Sequence, residues 1–232
     1  MIAIATVMES IRYNYIVIEG NIGAGKTTLA SMIARDYNAK LILERFADNP
    51  FLPKFYSDPT RYSFPLELSF LADRYRQLKE ELVEQDLFKS FTVADYYFMK
   101  SLVFSSKTLE QDEFSLYRQI FYIIYSSLPK PDLYVYLHVP PERLLKNIAI
   151  RGREYEKSIT AEYLTGIQES YFNFFRQNPE NRYLVLDISG IDFVASHEDY
   201  LKVIDLIFSE PVEPGINLRD FRIFNRKNEG ID

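Results

Sequence analysis

A glycine-rich segment near the start of the chain has the residue types and spacing of a phosphate-binding loop. Residues 20–27 spell G-x-x-x-x-G-K-T, directly after an apolar run at 13–18 and directly before a helix-like stretch at 28–37. The glycines let backbone N–H groups turn inward around phosphate oxygens, while Lys26 reaches the β and γ phosphates and Thr27 offers its hydroxyl to Mg²⁺. The helix that follows presents its positive end to the same anion. The residues expected to bind ATP are Gly20, Asn21, Ile22, Gly23, Ala24, Gly25, Lys26, Thr27 and Thr28.

Two carboxylates follow predicted strands on the edge of the sheet where this loop also lies. Glu44 follows the second strand and Asp95 follows the third. Ligands of open α/β sheets bind at the carboxyl ends of the strands. A carboxylate placed there could take a proton from an attacking hydroxyl, or hold Mg²⁺ directly or through water. Position alone leaves two alternatives open, a solvated loop residue for Glu44 and a helix N-cap for Asp95.

An arginine-rich turn lies between two predicted helices. Residues 151–157 read R-G-R-E-Y-E-K, so that Arg151 and Arg153 flank a glycine. A guanidinium group donates several N–H bonds to phosphate oxygens and stays charged at any working pH. Closure of such a lid would neutralise charge on a transferring phosphoryl group and exclude water. A charge run of this kind is by itself typical of a solvated turn, but the phosphate loop in the same chain favours the lid.

The elements that must position these residues alternate along the chain. Short segments rich in β-forming residues, each followed by polar or turn residues, predict strands at 15–18, 40–43, 92–94, 133–138 and 183–186. Apolar residues at three- and four-residue steps predict helices at 64–88, 113–127, 142–150, 161–176 and 198–208. This alternation predicts an α/β fold, a five-stranded parallel sheet with helices on both faces and an arginine-rich lid.

Composition limits the class of protein. The chain has 232 residues, 47% of them hydrophobic, which predicts one domain over 1–232 with its core at 13–208 and a surface-wrapping or frayed tail at 209–232. The absence of cysteine suits a reducing compartment, and no run approaches a membrane span, so we expect a cytoplasmic protein without membrane contact. The net charge of −6 argues against a nucleic-acid polymer as partner. The two histidines lack partners at metal-ligand spacing, and zinc is not expected.

These motifs together resemble the deoxyribonucleoside kinases, a family that includes deoxycytidine, deoxyguanosine and bacterial deoxyadenosine kinases. The likeness covers about residues 13–208 and is strongest to the bacterial deoxyadenosine kinases. The motifs that carry it are I-E-G-N-I-G-A-G-K-T-T-L at 18–29, Glu44 with N-P-F-L at 49–52 and F-Y at 55–56, and R-G-R at 151–153 through Glu156 before Y-L at 163–164. The resemblance implies a P-loop kinase fold.

The resemblance also implies roles around the sugar and the phosphates. Glu44 would be the general base for the 5′-hydroxyl, Tyr56 and Glu156 would hold the 3′-hydroxyl, and Arg151 and Arg153 would be the lid arginines. The expected catalytic residues are Glu44, Lys26, Arg151 and Arg153. The expected nucleoside-binding residues are Glu44, Tyr56, Glu67, Arg74, Asp95, Lys100 and Glu156. The expected metal ligands are Thr27 and Asp95.

The base side and the helix after the third strand depart from the family pattern. Glu67 stands where the family has a base-reading glutamine, and Arg74, two helical turns later on the same face, matches an arginine beside the base. An ionised carboxylate only accepts hydrogen bonds, so a purine amino group would satisfy Glu67. Residues 95–97 read D-Y-Y in place of an acidic-Arg-Ser triplet; Lys100, one turn further on, is either the replacement charge or an exposed lysine. Asn147 stands where the first lid arginine is expected.

The expected activity is transfer of the ATP γ-phosphoryl group to the 5′-hydroxyl of a deoxyribonucleoside, with deoxyadenosine as the first expectation and deoxyguanosine as the second, in nucleotide salvage, by a homodimer. A nucleoside monophosphate kinase of the thymidylate type shares the loop and the lid. It would need a cationic clamp for the acceptor phosphate, whereas Glu44, Tyr56 and Glu67 predict an acid-rich acceptor side. The alternative of another class is a non-catalytic nucleotide-binding module. The aromatic clusters at 96–98, 121–122 and 171–172 are expected in the core or at a dimer interface.

Overall fold

The fold is organised around one parallel sheet. The computed structural model describes residues 12–45, 49–83 and 86–220, except for the side chain of Tyr56. Within these residues six strands pair in the order β2-β3-β1-β4-β5-β6, and every pair is parallel. The strands are β1 (Tyr15–Gly20), β2 (Lys40–Ile42), β3 (Thr92–Ala94), β4 (Leu133–His138), β5 (Arg182–Asp187) and β6 (Gly215–Asp220).

Helices cover both faces of the sheet. They are α1 (Lys26–Asp36), α2 (Leu52–Ser57), α3 (Pro59–Val83), α4 (Met99–Thr108), α5 (Gln111–Tyr125), α6 (Pro141–Arg151), α7 (Ala161–Gln177) and α8 (His197–Phe208), with a 3-10 turn at Glu154–Glu156. Hydroxyl groups cap two of them: the side chain of Thr160 accepts from the Tyr163 N–H before α7, and that of Ser196 accepts from the Asp199 N–H before α8. No helix in the described ranges is long and apolar enough to cross a bilayer.

Alternation along β1 shows why the sheet is buried on both sides. Ile16 and Ile18 belong to one buried cluster, together with side chains of α1, α6 and α8. Tyr15 and Val17 point to the opposite face and belong to a second cluster with α3, α4, α5 and α7. Successive side chains of a strand face opposite sides, and a strand covered on both sides reads as a continuous apolar run. The two-sided parallel sheet predicted from the sequence is therefore confirmed.

The predicted number of strands is wrong, because a sixth strand lies in the segment assigned to the tail. β6 pairs in parallel with β5 from Arg182↔Gly215 to Asp187↔Asp220. It is an edge strand whose apolar side chains stay largely outside the core: Leu218 is 75% exposed. The apolar residues of the alternating sequence G-I-N-L-R-D are its exposed ones, so the strand is identified by its backbone pairing and not by a buried apolar face. The remainder of the expected tail, 221–232, lies outside the described residues.

Two helix predictions also differ from the structure. The helix predicted at 64–88 begins at Pro59 and ends at Val83. Pro65 lies inside it, in its second turn. The helix expected directly after β3 begins at Met99 instead of Asp95, so residues 95–98 lead from the strand to the helix without being helical. This places the Asp95 side chain at the strand end rather than on a helix.

Most of the aromatic residues are core residues, as predicted. Tyr97, Phe121 and Tyr171 are fully buried, whereas Tyr122 is 40% exposed. Tyr183 on β5 stacks on Phe175 of α7, with ring centroids 4.2 Å apart. Such ring pairs add to the free energy gained from burial. The aromatic side chains thus fill the space between the sheet and the helices that pack on one of its faces.

Candidate active site

One cavity of about 550 Å³ lies at the carboxyl ends of β1, β2 and β3. The helix after β1 packs on one face of the sheet, whereas the helices between β3 and β4 pack on the opposite face. The direction of strand order changes at this point, and a crevice forms at such a switch point. The predicted site residues that line this cavity are Ile22, Gly23, Lys26, Thr27, Glu44, Glu67, Arg74, Asp95, Lys100, Arg151, Arg153 and Glu156. The side chain of Tyr56 lies outside the described residues. The fold thus brings residues that are up to about 130 positions apart in the sequence to the carboxyl ends of the strands, where ligands of parallel sheets bind.

Gly23 and Gly25 of the phosphate loop each combine a positive φ with no room for a side chain. Gly25 has a φ of +89°, and a Cβ there would lie 2.9 Å from the ring of Phe193. Gly23 has a φ of +81°, and its Cβ would lie 3.0 Å from the Leu144 carbonyl oxygen. Residues other than glycine rarely adopt a positive φ. The backbone at both positions is therefore free to approach phosphate oxygens, as the motif predicts.

Polar side chains fix the loop to the surrounding helices. Asn21 Nδ2 donates to the Leu164 carbonyl oxygen at 2.7 Å, and Lys26 Nζ donates to the Asn21 carbonyl oxygen at 2.8 Å. Asn147, which stands in place of a lid arginine, donates from Nδ2 to the Gly23 carbonyl oxygen at 2.8 Å. The asparagine at this position therefore connects α6 to the loop by a hydrogen bond, where an arginine would carry a charge.

Glu44 is the centre of a buried charge cluster. Arg74 Nε and Nη2 donate to Glu44 Oε1 at 2.9 and 2.8 Å, and Lys100 Nζ donates to Oε2. Burial by itself would raise the pKa of Glu44, but Lys100 and Arg74 together lower it to about 2. Glu44 is therefore ionised at neutral pH and is not a solvated loop residue. Lys100 is not an exposed lysine: it supplies a charge beside the acceptor carboxylate.

Arg74 contacts both the strand-end carboxylate Glu44 and the part of the cavity that contains Glu67. Its guanidinium group donates from Nη1 to Ser101 Oγ at 2.9 Å as well as to Glu44, and it lies 5.0 Å from the ring centroid of Phe70. The fork of an arginine suits a carboxylate, and the face of the group suits an aromatic ring. Arg74 thus holds the strand-end carboxylate in place and borders the apolar part of the cavity.

Asp95 connects the phosphate loop with the strand end of β2. Its Oδ2 accepts a hydrogen bond from the Thr27 hydroxyl, and its Oδ1 accepts from the Glu44 N–H at 2.8 Å. The first turn of α4 receives no side-chain cap hydrogen bond, so Asp95 is not the N-cap that position alone allowed. A hydroxyl and a carboxylate oxygen at the mouth of the loop are hard ligands of the kind that Mg²⁺ prefers.

The arginine-rich turn is held against the cavity by Glu156. Arg151 Nη2 donates to Glu156 Oε1 at 2.6 Å, and Arg153 Nη1 donates to the same oxygen at 3.3 Å. The carboxylate is buried, while each arginine side chain is 35% exposed. The arginines therefore line the cavity rather than a solvated turn. Gly152 ends α6 in the left-handed region, with a φ of +70°, and turns the chain between them.

The base-side residues meet in the apolar half of the cavity. Glu67 is buried, and its Oε1 accepts from the Thr108 hydroxyl at 2.8 Å. Leu66, Phe70 and Phe104 line the same part of the cavity. The motif reading missed Thr108, which lies at the last residue of α4 and has no sequence signal of its own. Flat apolar side chains beside one polar group suit a planar heterocycle.

Glu19 is a second residue to which sequence reasoning gave no role. It is the last side chain of β1 before the loop, and it is fully buried. Its two oxygens accept from the Tyr97 N–H at 2.9 Å and from the Tyr171 hydroxyl at 2.8 Å. Burial raises the pKa of Glu19 to about 7, although Lys100 and Lys26 oppose the shift. The signal in the sequence was a charged residue inside an apolar strand, where an unpaired charge is costly.

Replacement of Glu19 by glutamine is expected to change the pH dependence of stability. A carboxyl group whose pKa is higher in the folded state contributes stability below its unfolded value and loses it as pH rises through the folded value. The wild type should therefore lose unfolding free energy between about pH 5 and about pH 8, whereas Glu19→Gln should not lose this contribution, because glutamine does not titrate. The difference in unfolding free energy between the variant and the wild type should shift by about 3 kcal/mol in favour of the variant over this range. Urea unfolding at both pH values measures this. A difference independent of pH would mean that Glu19 is ionised throughout.

Comparison with known proteins gives a consistent result. The family model described as deoxynucleoside kinase matches residues 16–213. A deoxyguanosine kinase of Bacillus subtilis is 37% identical over 194 residues, which cover 82% of this chain and 93% of that protein. A deoxyadenosine kinase of Dictyostelium discoideum is 31% identical over 189 residues, covering 80% of this chain and 76% of that protein. The solved structure of a deoxyadenosine kinase from M. mycoides with bound dATP has a TM-score of 0.71 at 22% identity, covering 84% of this chain and all of that one, and shows a common fold.

The family match spans the phosphate loop, the strand-end carboxylates and the arginine-rich turn, so it includes every element that lines the cavity. The fold of the M. mycoides enzyme agrees with the parallel sheet described above. The family resemblance predicted from the motifs is therefore confirmed. This chain belongs to the deoxynucleoside kinase family, whose members are ATP-dependent phosphotransferases.

Proposed function

We propose that this kinase transfers the γ-phosphoryl group of ATP to the 5′-hydroxyl of a purine deoxyribonucleoside, deoxyadenosine or deoxyguanosine. One observation carries the proposal: an ionised Glu44, held by Arg74 and Lys100, lines the same cavity as the phosphate loop and the buried Glu67. The residues proposed to bind ATP, to hold the 5′-hydroxyl and to contact the base thus line the same cavity. The names of the Bacillus and Dictyostelium relatives support a purine substrate.

On the donor side, Lys26 and the positive end of α1 would bind the triphosphate. Burial and the neighbouring Lys100 lower the pKa of Lys26 to about 8, while Glu19, Glu44 and Asp95 oppose the shift. Thr27 and Asp95 would hold Mg²⁺, which supplies neutralisation of charge on the β and γ phosphates. A site with one carboxylate and one hydroxyl suits this ion because Mg²⁺ takes its other ligands from water and substrate phosphates.

On the acceptor side, Glu44 would accept the hydrogen bond of the 5′-hydroxyl and receive its proton as the new oxygen–phosphorus bond forms. A carboxylate with a pKa of about 2 is a weak base. This suffices in a loose transition state, where the attacking oxygen has gained little bond to phosphorus and positioning dominates catalysis. The main contribution of Glu44 is then the fixed direction in which it holds the hydroxyl. Glu156 would contact the sugar together with Tyr56.

The acceptor side is not the acid-rich surface that the sequence suggested. Arg74 and Lys100 neutralise Glu44, so the cavity contains cations as well as carboxylates. Both cations already donate to Glu44, and a monophosphate acceptor would have to displace them from it. The argument against the thymidylate kinase alternative is therefore that Arg74 and Lys100 are already paired with Glu44, and not that the cavity has an excess of negative charge.

A panel of acceptors tests the proposal. With ATP and Mg²⁺, ADP formation should be fastest with deoxyadenosine or deoxyguanosine, and kcat/KM for thymidine should be lower by about 10²-fold or more, since thymine has no exocyclic amine for Glu67. Ribonucleosides and deoxyribonucleoside monophosphates complete the panel. Preference for thymidine would refute the purine assignment, preference for a monophosphate would support the thymidylate type, and the absence of any acceptor dependence would indicate a regulatory module.

The homodimer expected from the sequence is part of the same proposal. Leu116 and Ile123 lie two helical turns apart on α5 and are 52% and 74% exposed. Exposed apolar side chains on one face of a helix suit contact with a second copy.

A further inference from the structure

The carboxyl group of Glu67 is only half satisfied by the protein. Its Oε1 accepts from the Thr108 hydroxyl at 2.8 Å. Its Oε2 is buried and has no hydrogen-bond partner within residues 12–45, 49–83 and 86–220. A buried polar atom without a partner costs free energy, so such an atom in a ligand cavity marks a position where the ligand supplies the partner. Oε2 is thus available to a base, and Oε1 keeps a second lone pair beside the bond from Thr108, so both oxygens can contact the base.

The surroundings of Glu67 balance its two protonation states. Arg74 on α3 and Lys100 on α4 are the cations that favour the carboxylate, and Thr108 at the end of α4 donates to it. Tyr117 on α5 donates its hydroxyl to the Glu67 backbone carbonyl oxygen and not to the carboxyl group. Both cations direct their side-chain donors to Glu44. Burial is the larger effect and raises the pKa of Glu67 to about 7, so both forms exist near neutral pH.

The two protonation states have different hydrogen-bonding edges. A carboxylate only accepts, whereas a neutral carboxylic acid offers one donor beside one acceptor. Guanine presents N1–H between two neighbours, the amino donor on one side and the O6 acceptor on the other. Adenine presents an acceptor, N1, beside its amino donor. The carboxylate therefore matches the two donors of guanine and repels the N1 lone pair of adenine, while the neutral acid matches adenine through N1 and the amino group and guanine through N1–H and O6.

We propose that Glu67 selects between the two purine bases through its own state of protonation, binding guanine in either state and adenine only as the neutral acid. The proposal depends on the purine kinase activity proposed above. It assigns to this chain a substrate preference that changes with pH. A glutamine at this position, with a fixed donor and a fixed acceptor, would lack that property.

The test is the ratio of kcat/KM for deoxyguanosine to that for deoxyadenosine, measured by ADP formation as a function of pH. All titrations that affect ATP, Lys26 or Glu44 act on both reactions and cancel in the ratio. Neither base changes its own protonation near neutral pH. The ratio of carboxylate to acid changes tenfold per pH unit, so the ratio of the two kcat/KM values should rise by about 10- to 100-fold from about pH 6 to about pH 8.

Variants identify the group responsible. Glu67→Gln, whose amide complements both bases, should act on both nucleosides with a ratio independent of pH. Thr108→Val removes a hydrogen bond that stabilises the carboxylate, so it should move the change in ratio to higher pH without abolishing it. Glu110→Gln, an exposed carboxylate two residues from Thr108, is the matched control and should keep the wild-type dependence on pH.

The outcomes separate this proposal from the proposed function. If the wild type phosphorylates both purine nucleosides with a ratio that is constant over pH, the activity stands and the selection mechanism is wrong. A pH-dependent ratio that persists in Glu67→Gln would also overturn it, because another group would then titrate. If neither purine nucleoside is phosphorylated at any pH, the proposed function fails as well. Should Glu67→Gln not fold, the shift in Thr108→Val decides the question.

Discussion

Glu44→Gln is expected to lower kcat by about 10²- to 10⁴-fold, the range typical of a lost acid–base group. Glutamine keeps the shape of the side chain and can still accept from Arg74 or Lys100, but it cannot take the proton of the 5′-hydroxyl. In the proposed complex Glu44, paired with Arg74 and Lys100, lies on the acceptor side of the cavity. ATP affinity, measured by calorimetry without acceptor, should therefore stay near that of the wild type.

Two controls accompany this measurement. Glu80→Gln removes an exposed carboxylate on α3 and should leave kcat unchanged. Thermal unfolding of Glu44→Gln shows whether the buried cations still find partners. If Glu44→Gln keeps most of its turnover while Asp95→Asn loses it, the assignment of the two carboxylates is reversed, and Asp95 receives the proton or acts alone at the metal.

Arg151→Ala and Arg153→Ala are each expected to lower kcat by about 10²-fold or more while the affinity for nucleoside stays nearly constant. The charge of the transferring phosphoryl group is spread over its oxygens in the transition state, so a guanidinium group contributes more there than in the ground state. Single-turnover kinetics with saturating nucleoside separates the chemical step from binding. Arg151→Lys should be intermediate, because it keeps the charge but loses the planar fork.

The shared partner of the arginines gives this prediction a specific alternative. Arg151 and Arg153 both donate to Glu156, which would contact the sugar in the proposed complex. A loss that appears in KM for the nucleoside, with kcat unchanged, would mean that the arginines act by orienting Glu156. Lys157→Ala, an exposed cation in the same turn that pairs with Glu154, is the matched control. If both arginine variants keep the kcat and KM of the wild type, the arginine-rich turn has no role in catalysis.

Much of the fold could be predicted from the sequence because the signals are local. The first five strands and the phosphate loop each combine an apolar run with a characteristic ending, and the strand-end rule then brings Glu44 and Asp95 to the loop. β6 was not predicted, because its apolar residues are exposed and it lies in a charged segment that contains proline and glycine. The ends of α3 and the start of α4 were misplaced, because the apolar periodicity that identifies a helix does not mark where it begins and ends.

The site required information that a linear pattern does not contain. The pairing of Glu44 with Arg74 and Lys100 depends on how α3 and α4 are rotated about their axes when they pack beside β2. Thr108 meets Glu67 for the same reason. Asn147 could be recognised only as a missing arginine, since its hydrogen bond to Gly23 joins residues more than a hundred positions apart. Residue types were readable from the sequence, whereas partners followed from packing.

The order of strands in the sheet has a consequence for how this chain folds during synthesis. β1 is made first but lies in the middle of the sheet, and its two neighbours come from residues 92–94 and 133–137. The ribosome must therefore deliver more than half of the chain before the central strand is enclosed. Until then the apolar β1 and the glycine loop behind it are open to non-native contacts, a period in which the chain is exposed to aggregation. The residues that will hold the phosphates are thus among the first made and the last to reach their final surroundings.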